Sequence, residues 1–180
     1  MNSAFAVWLT GLPASGKSAV ARALLEALHG RGIEAALLES DVMRTQLTPF
    51  PRYDGGEHDR FYDLLGRIGT LLVGQGIPVV LDATANKRLY RERARERIPR
   101  FAEVFVATPP EVCAARDPKG LYRAAQEGRS ASLPGPQAAY EPPLSPELTV
   151  QGDGVSPAAA AQAVVAMLER RGWLQTARAQ

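Results

Sequence analysis

Four short apolar runs recur along the chain: AFAVWL at 4–9, EAALLE at 34–39, IPVVLD at 77–82 and AEVFVA at 102–107. Each is shorter than a typical helix and bounded by turn-forming residues, so each is expected to be a buried strand. A shorter fifth run, ELTV at 147–150, completes the set. Helical patterns fill the intervals at 17–30, 57–74, 87–98 and 109–115, with a last one at 156–171. Ser156 suits the N-cap of that last helix, with Pro157 at its first helical position. Strands alternating with helices imply parallel β-α-β units. The expected fold is therefore α/β: a three-layer α/β/α arrangement with a parallel five-stranded sheet, in one domain spanning 1–180.

Two stretches interrupt the alternation. Residues 40–58 and 116–146 are long, punctuated by Pro and Gly, and rich in Arg and Tyr. Long connections inside a compact domain are commonly functional, and disordered linkers seldom carry so many aromatic residues. The second stretch is expected to form a lid.

Composition narrows the class. Lys and Arg exceed Asp and Glu by only 21 to 19, which argues against binding nucleic acid or a membrane surface through net charge. No apolar run approaches the ~20 residues of a membrane span. The N-terminal stretch lacks a basic region, so no signal peptide is expected. A single cysteine, Cys113, excludes an intrachain disulfide and suits a reducing compartment, so a cytoplasmic location is expected.

The chemistry begins at GLPASGKS, residues 11–18, which fits the phosphate-loop pattern G-x-x-x-x-G-K-S. Gly11 and Gly16 permit the tight backbone turn that points N–H groups inward at phosphate oxygens. Leu12, Ala14 and Ser15 supply intervening N–H groups, and Pro13, which has none, completes the binding loop. Lys17 is placed to reach the β- and γ-phosphates, and the Ser18 hydroxyl to bind Mg²⁺. An apolar strand before the loop and an amphipathic helix after it give the motif its expected context, so ATP with Mg²⁺ is the expected ligand.

A phosphoryl-transfer enzyme also needs a carboxylate for the metal ion or the attacking hydroxyl. Asp41 follows AALLES and Asp82 closes PVVLD, so both fall at the carboxyl ends of expected strands, where an α/β sheet places its ligand crevice. Asp82 has the form of a Walker-B carboxylate. Each could alternatively serve as a turn or helix-capping residue, and the pattern does not choose between the two as the main catalytic group.

Beyond the phosphate loop, the chain resembles the adenylylsulfate (APS) kinases, P-loop kinases that phosphorylate the 3′-hydroxyl of adenosine 5′-phosphosulfate. WLTGLPASGKS resembles their loop and preceding strand. ESDVMR resembles their G-D-x-x-R segment, with Asp41 and Arg44 at its Asp and Arg. EVCAARDPKGLY is the most specific piece, and AAYEPPLSPELTV resembles the segment after their lid. The resemblance implies that Asp41 serves the acceptor hydroxyl and that Arg44 and Arg60 bind the acceptor. It implies that Arg116 and Lys119 belong to a lid at about 116–146, with Arg116 towards ATP and Lys119 towards the acceptor. Lid cations suit a reaction that spreads negative charge over the transferring phosphoryl group. The implied partner is a small-molecule nucleotide acceptor, the implied setting is sulfate assimilation, and the family's common homodimer is a further expectation.

Three positions depart from the family pattern. Ala85, in LDATANKR, stands where a serine is usual, Asp63 replaces an asparagine, and Leu133 replaces a lid aromatic. All three lie on the acceptor side, and LDATANKR resembles other small P-loop kinases. A different alcohol acceptor (a modified nucleotide, a sugar or a polynucleotide 5′-hydroxyl) is the alternative. A guanine-nucleotide switch is not expected, because no N-K-x-D segment occurs.

Overall fold

The computed structural model describes residues 4–48, 55–127 and 139–174. Its strands are β1 Ala6–Thr10, β2 Ala36–Glu39, β3 Val79–Asp82, β4 Phe101–Ala107 and β5 Leu148–Gln151. They form one sheet in the order β2-β3-β1-β4-β5, with every pairing parallel. The helices are α1 Lys17–His29, α2 Ser40–Leu47, α3 Gly55–Gly74, α4 Arg88–Arg97, α5 Pro110–Arg116, α6 Leu121–Gln126 and α7 Pro157–Arg170.

The central strands are mostly apolar because both faces of the sheet are covered, with Glu103 of β4 and Asp82 at the end of β3 the buried charged exceptions. On one face Val7, Leu9, Val104 and Val106 meet Val20, Leu24 and Leu28 of α1 and Val164, Val165 and Leu168 of α7. On the other, Ala6, Trp8 and Leu81 meet Phe61 and Leu65 of α3 and Tyr90 and Ala94 of α4. Trp8 is wholly buried, and its indole N–H donates to the Ala83 carbonyl at 3.0 Å, which fixes the chain just beyond β3. Trp173 packs back onto Phe5, with ring centroids 6.4 Å apart.

Helix ends follow local chemistry. Ser156 caps α7, its hydroxyl accepting from the Ala159 amide at 3.2 Å with Pro157 in the first turn. Helix α4 stops at Ile98, whose backbone turns extended as the residue before Pro99 must.

All five expected strands are present, their ends shifted by one or two residues. The expected loop at 40–58 needs correction, since α2 occupies Ser40–Leu47 and α3 already begins at Gly55. Helix α2 spans only eight residues, fewer than the window over which apolar periodicity is read, and no residue of it is buried. The expected lid likewise contains helix α6. No described helix is long and apolar enough to cross a membrane.

Candidate active site

The parallel register aligns the carboxyl ends of three strands: Leu9 and Glu39 both lie opposite Asp82. The phosphate loop springs from β1 at this edge. Gly11 has φ 153° and Gly16 has φ 103°, and a Cβ on Gly11 would stand 2.5 Å from the Val106 carbonyl oxygen, so only glycine fits. The Ser15 amide closes the turn onto the Leu12 carbonyl at 3.1 Å. Ala14 also takes a left-handed conformation, with φ 62°. No side chain caps α1, so its first amides are open to an anion, with the helix dipole behind them. The buried Ser15 hydroxyl has no hydrogen-bond partner among the described residues.

Lys17 is buried in this cradle, its ammonium donating to the carbonyls of Gly11 at 3.0 Å and Leu12 at 2.8 Å. Burial lowers its pKa to about 8, while Asp82 and, less strongly, Asp41 act to raise it. The two candidate carboxylates thus share one electrostatic neighbourhood with the loop lysine. They differ in setting. Asp82 is 4% exposed at the end of β3, whereas Asp41 lies exposed in the first turn of α2. Ser18 follows Lys17, half-buried.

The loop is also held from outside. Thr108, just beyond β4, donates its hydroxyl to the Ser15 carbonyl at 2.7 Å. Gly152, just beyond β5, comes so close that a Cβ there would lie 2.2 Å from that same carbonyl oxygen and 1.9 Å from Thr108 Oγ1. Sequence reasoning passed over both. Glycine directly after a strand is the one available hint, because it permits close backbone approach.

The first arm of the 116–146 segment reaches both sides of the crevice. Arg116 donates to the Gly152 carbonyl at 2.8 Å and lies beside Gly16. Lys119 pairs with the Asp41 carboxylate. The DPKGLY run has a local explanation, since Asp117 caps α6 by accepting from the amides of Tyr122 at 3.1 Å and Arg123 at 3.0 Å. Tyr122 then donates its hydroxyl to the Pro13 carbonyl at 3.0 Å, which ties α6 to the phosphate loop. Beside that tie lies a cavity of about 740 Å³, lined by Leu12, Phe105, Tyr122 and Tyr140 among others.

Of the other expected acceptor-binding residues, Arg44 lies with its guanidinium carbon 4.0 Å above the Phe61 ring centroid, and its Nη1 lies 3.3 Å from Glu57 Oε1 across the α2–α3 junction. Arg60 is exposed on α3. One of the three departures needs correction. Asp63 is clamped by Arg67 at 2.7 Å and Arg97 at 2.6 Å at the α3–α4 interface, so its charge is neutralised there rather than facing an anionic acceptor. Ala85 is fully buried in the α3–α4 layer, its methyl packed among apolar side chains. Leu133 lies outside the described residues.

Comparison with known proteins agrees with this architecture. The family model described as adenylylsulphate kinase matches residues 3–151. The adenylyl-sulfate kinase of Citrobacter koseri is 41% identical over 149 residues, covering 82% of this chain and 74% of that protein. That of Microcystis aeruginosa is 38% identical over 147 residues, covering 82% and 81%. The Mycobacterium tuberculosis APS kinase CysC, solved in complex with AMPPNP and APS, superimposes with a TM-score of 0.86 at 33% identity, covering 92% of this chain and 98% of that one.

Proposed function

The chain belongs to the adenylylsulfate kinase family, and we propose on that footing that it transfers the γ-phosphate of ATP to the 3′-hydroxyl of adenosine 5′-phosphosulfate. The observation that carries the reading is the convergence of Lys17, Asp82 and Asp41 at the mouth of a phosphate loop that runs into the uncapped N-terminus of α1.

In this reading the N–H groups of the Gly11–Ser18 loop, Pro13 having none, bind the nucleotide phosphates at the start of α1. Lys17 leaves the Gly11 and Leu12 carbonyls to meet the β- and γ-phosphates, where its charge stabilises the transition state. Ser18 and Asp82 are hard oxygen donors, suited to Mg²⁺ that takes its remaining ligands from phosphate and water. The ion, when bound, neutralises phosphate charge. Asp41 accepts the proton of the attacking hydroxyl, and Lys119 moves from Asp41 to the acceptor's anionic groups. Arg44 and Arg60 hold the acceptor, and Arg116 covers the ATP side. The arms at 116–127 and 139–146 act as a lid that excludes water. The reading places the reaction in the cytoplasm, as the lone thiol Cys113 suggests, and treats a homodimer as a quantity for light scattering to measure.

The test is an ADP-release assay across an acceptor panel of adenosine phosphosulfate, nucleoside diphosphates, sugars and 5′-hydroxyl oligonucleotides. Fast turnover with adenosine phosphosulfate is expected. Its absence, alongside activity on another alcohol, would replace this acceptor.

A further inference from the structure

Arg91 stands out among the charged groups to which no role has been given. It lies in the middle of α4, a helix rich in arginine, yet it is 1% exposed while most charged side chains of that helix reach solvent. A buried guanidinium requires several acceptors to offset its lost hydration, and Arg91 finds them on three separate pieces of chain. Its Nε donates to Glu103 of β4 at 2.5 Å. Its Nη1 donates to the carbonyl of Ala85, in the loop between β3 and α4. Its Nη2 donates to the carbonyl of Glu141, at 2.7 Å, in the arm that returns from the lid region to β5.

The two backbone partners belong to segments that border the site. Ala85 lies three residues beyond Asp82 and has φ 44°, a conformation that a non-glycine residue holds only when its surroundings enforce it. The returning arm is joined to the same loop by further bonds: the Glu141 amide donates to the Asn86 carbonyl at 2.8 Å, and the Glu141 carboxylate accepts from the Arg88 amide at 2.8 Å. Next to it, Tyr140 lies 5.7 Å from the Arg91 guanidinium carbon, and its hydroxyl lies 3.0 Å from that of Thr10. Thr10 donates in turn to the Thr84 carbonyl at 2.7 Å and immediately precedes Gly11. One guanidinium therefore sets the returning arm and the loop beyond Asp82 relative to the strand that launches the phosphate loop.

We propose that Arg91 is a positioning residue for phosphoryl transfer: by holding the carbonyls of Ala85 and Glu141 together, it fixes the acceptor side of the crevice against the returning lid arm. The inference rests on the function proposed above. It acts through backbone rather than by touching either substrate. The phosphate loop beyond Gly11 has anchors of its own in Thr108, Gly152 and Tyr122, none of which bonds to Arg91. Loss of the fork should therefore weaken acceptor use selectively.

The test is steady-state kinetics on the full chain for the wild type, Arg91→Lys and Tyr140→Phe, with Arg95→Lys as the control. Lysine keeps a positive charge near Glu103 but cannot span three acceptors. Arg95 lies on the same helix, makes a bidentate pair with Glu147 at 2.6 and 2.8 Å where the arm enters β5, and lies 3.6 Å from Glu103, but it bonds neither the Ala85 nor the Glu141 carbonyl. The expected result for Arg91→Lys is an acceptor KM raised about tenfold or more, with the KM for ATP within about twofold, because a displacement of roughly 1 Å remote from the chemistry can cost two decades. Tyr140→Phe should move the same parameter in the same direction by a smaller factor, and Arg95→Lys should leave the ratio of the two KM values unchanged. Circular dichroism checks that each variant is folded. If Arg91→Lys is folded and raises both KM values equally, or if Arg95→Lys reproduces its pattern, the residue is merely structural. If Arg91→Lys does not fold, Tyr140→Phe decides alone, and an unchanged acceptor KM there overturns the proposal. A wild type inactive on adenosine phosphosulfate sinks the functional reading instead, and the same comparison then runs on whichever acceptor the panel identifies.

Discussion

Replacing Gly152 by alanine puts one methyl group where the phosphate loop meets the sheet. The added Cβ would lie 2.2 Å from the Ser15 carbonyl oxygen and 1.9 Å from Thr108 Oγ1. Ordinary contact between such atoms is about 3.5 Å, so loop and β5 must separate by roughly 1.3 Å. Neither obstacle is the free end of a flexible side chain. One is backbone, and the other is a hydroxyl already bonded to that backbone. Overpacking of this kind costs about 1–3 kcal/mol of stability. The larger effect is expected in function, because a shift of about 1 Å in a group that aligns reactants can lower the rate a hundredfold. Gly154→Ala is the matched control, two residues along. A Cβ there meets nothing within 4 Å, but φ is 70°, so only backbone strain of about 1 kcal/mol is expected. Nucleotide affinity by titration calorimetry, turnover by ADP release and thermal melting separate the two. Gly152→Ala should lose affinity and rate far beyond its loss of stability, whereas Gly154→Ala should melt lower and otherwise behave as wild type. A Gly152→Ala protein with affinity and turnover within about twofold of wild type would refute the argument that this contact sets the loop.

Other expectations concern the polar groups of the crevice. Lys17→Ala should remove phosphoryl transfer while the melting profile shows a folded protein, and retention of more than about a tenth of the rate would count against its role. With its pKa lowered to about 8 in the free chain, Lys17 should take up a proton when phosphate fixes it in the charged form, about half a proton at pH 8 and much less at pH 7; calorimetry in buffers of different ionisation enthalpy checks this. The same shift from 10.5 means that burying charged Lys17 opposes folding of the free protein by roughly 3 kcal/mol below pH 8, and the opposition fades as pH rises towards 10.5. Asp82→Asn should raise the Mg²⁺ concentration needed for half-maximal rate, and Asp41→Asn should lower kcat without that change; the reverse pattern would exchange the two roles.

Much of this protein is written locally in its sequence. Each strand appears as an apolar run because a parallel sheet covered on both faces has no polar side to show. The phosphate loop is legible because its requirements, glycine for the turn and a lysine at the helix start, are met within eight consecutive residues. Ser156, Pro157 and Pro99 announce helix ends for the same reason: the interactions span three or four residues. What stayed hidden depends on distant partners. Helix α2 is two turns long and buries no residue fully, so its apolar positions are too few to mark a helix by period alone. Asp63 read as an altered substrate contact until Arg67 and Arg97 were found on either side of it. Ala85 read as a missing hydroxyl and proved to be buried in the α3–α4 layer. Nothing in the sequence separates Arg91 from its charged neighbours, because burial follows from how the helix packs against β4 and not from residue type. Gly152 mattered only once β5 had been laid 44 residues of chain away from Thr108. Local sequence determines which elements form, through backbone preference and the period of apolar positions. Which charges meet, and which glycine must remain a glycine, is decided only when the packed sheet brings remote segments within a few ångströms of each other.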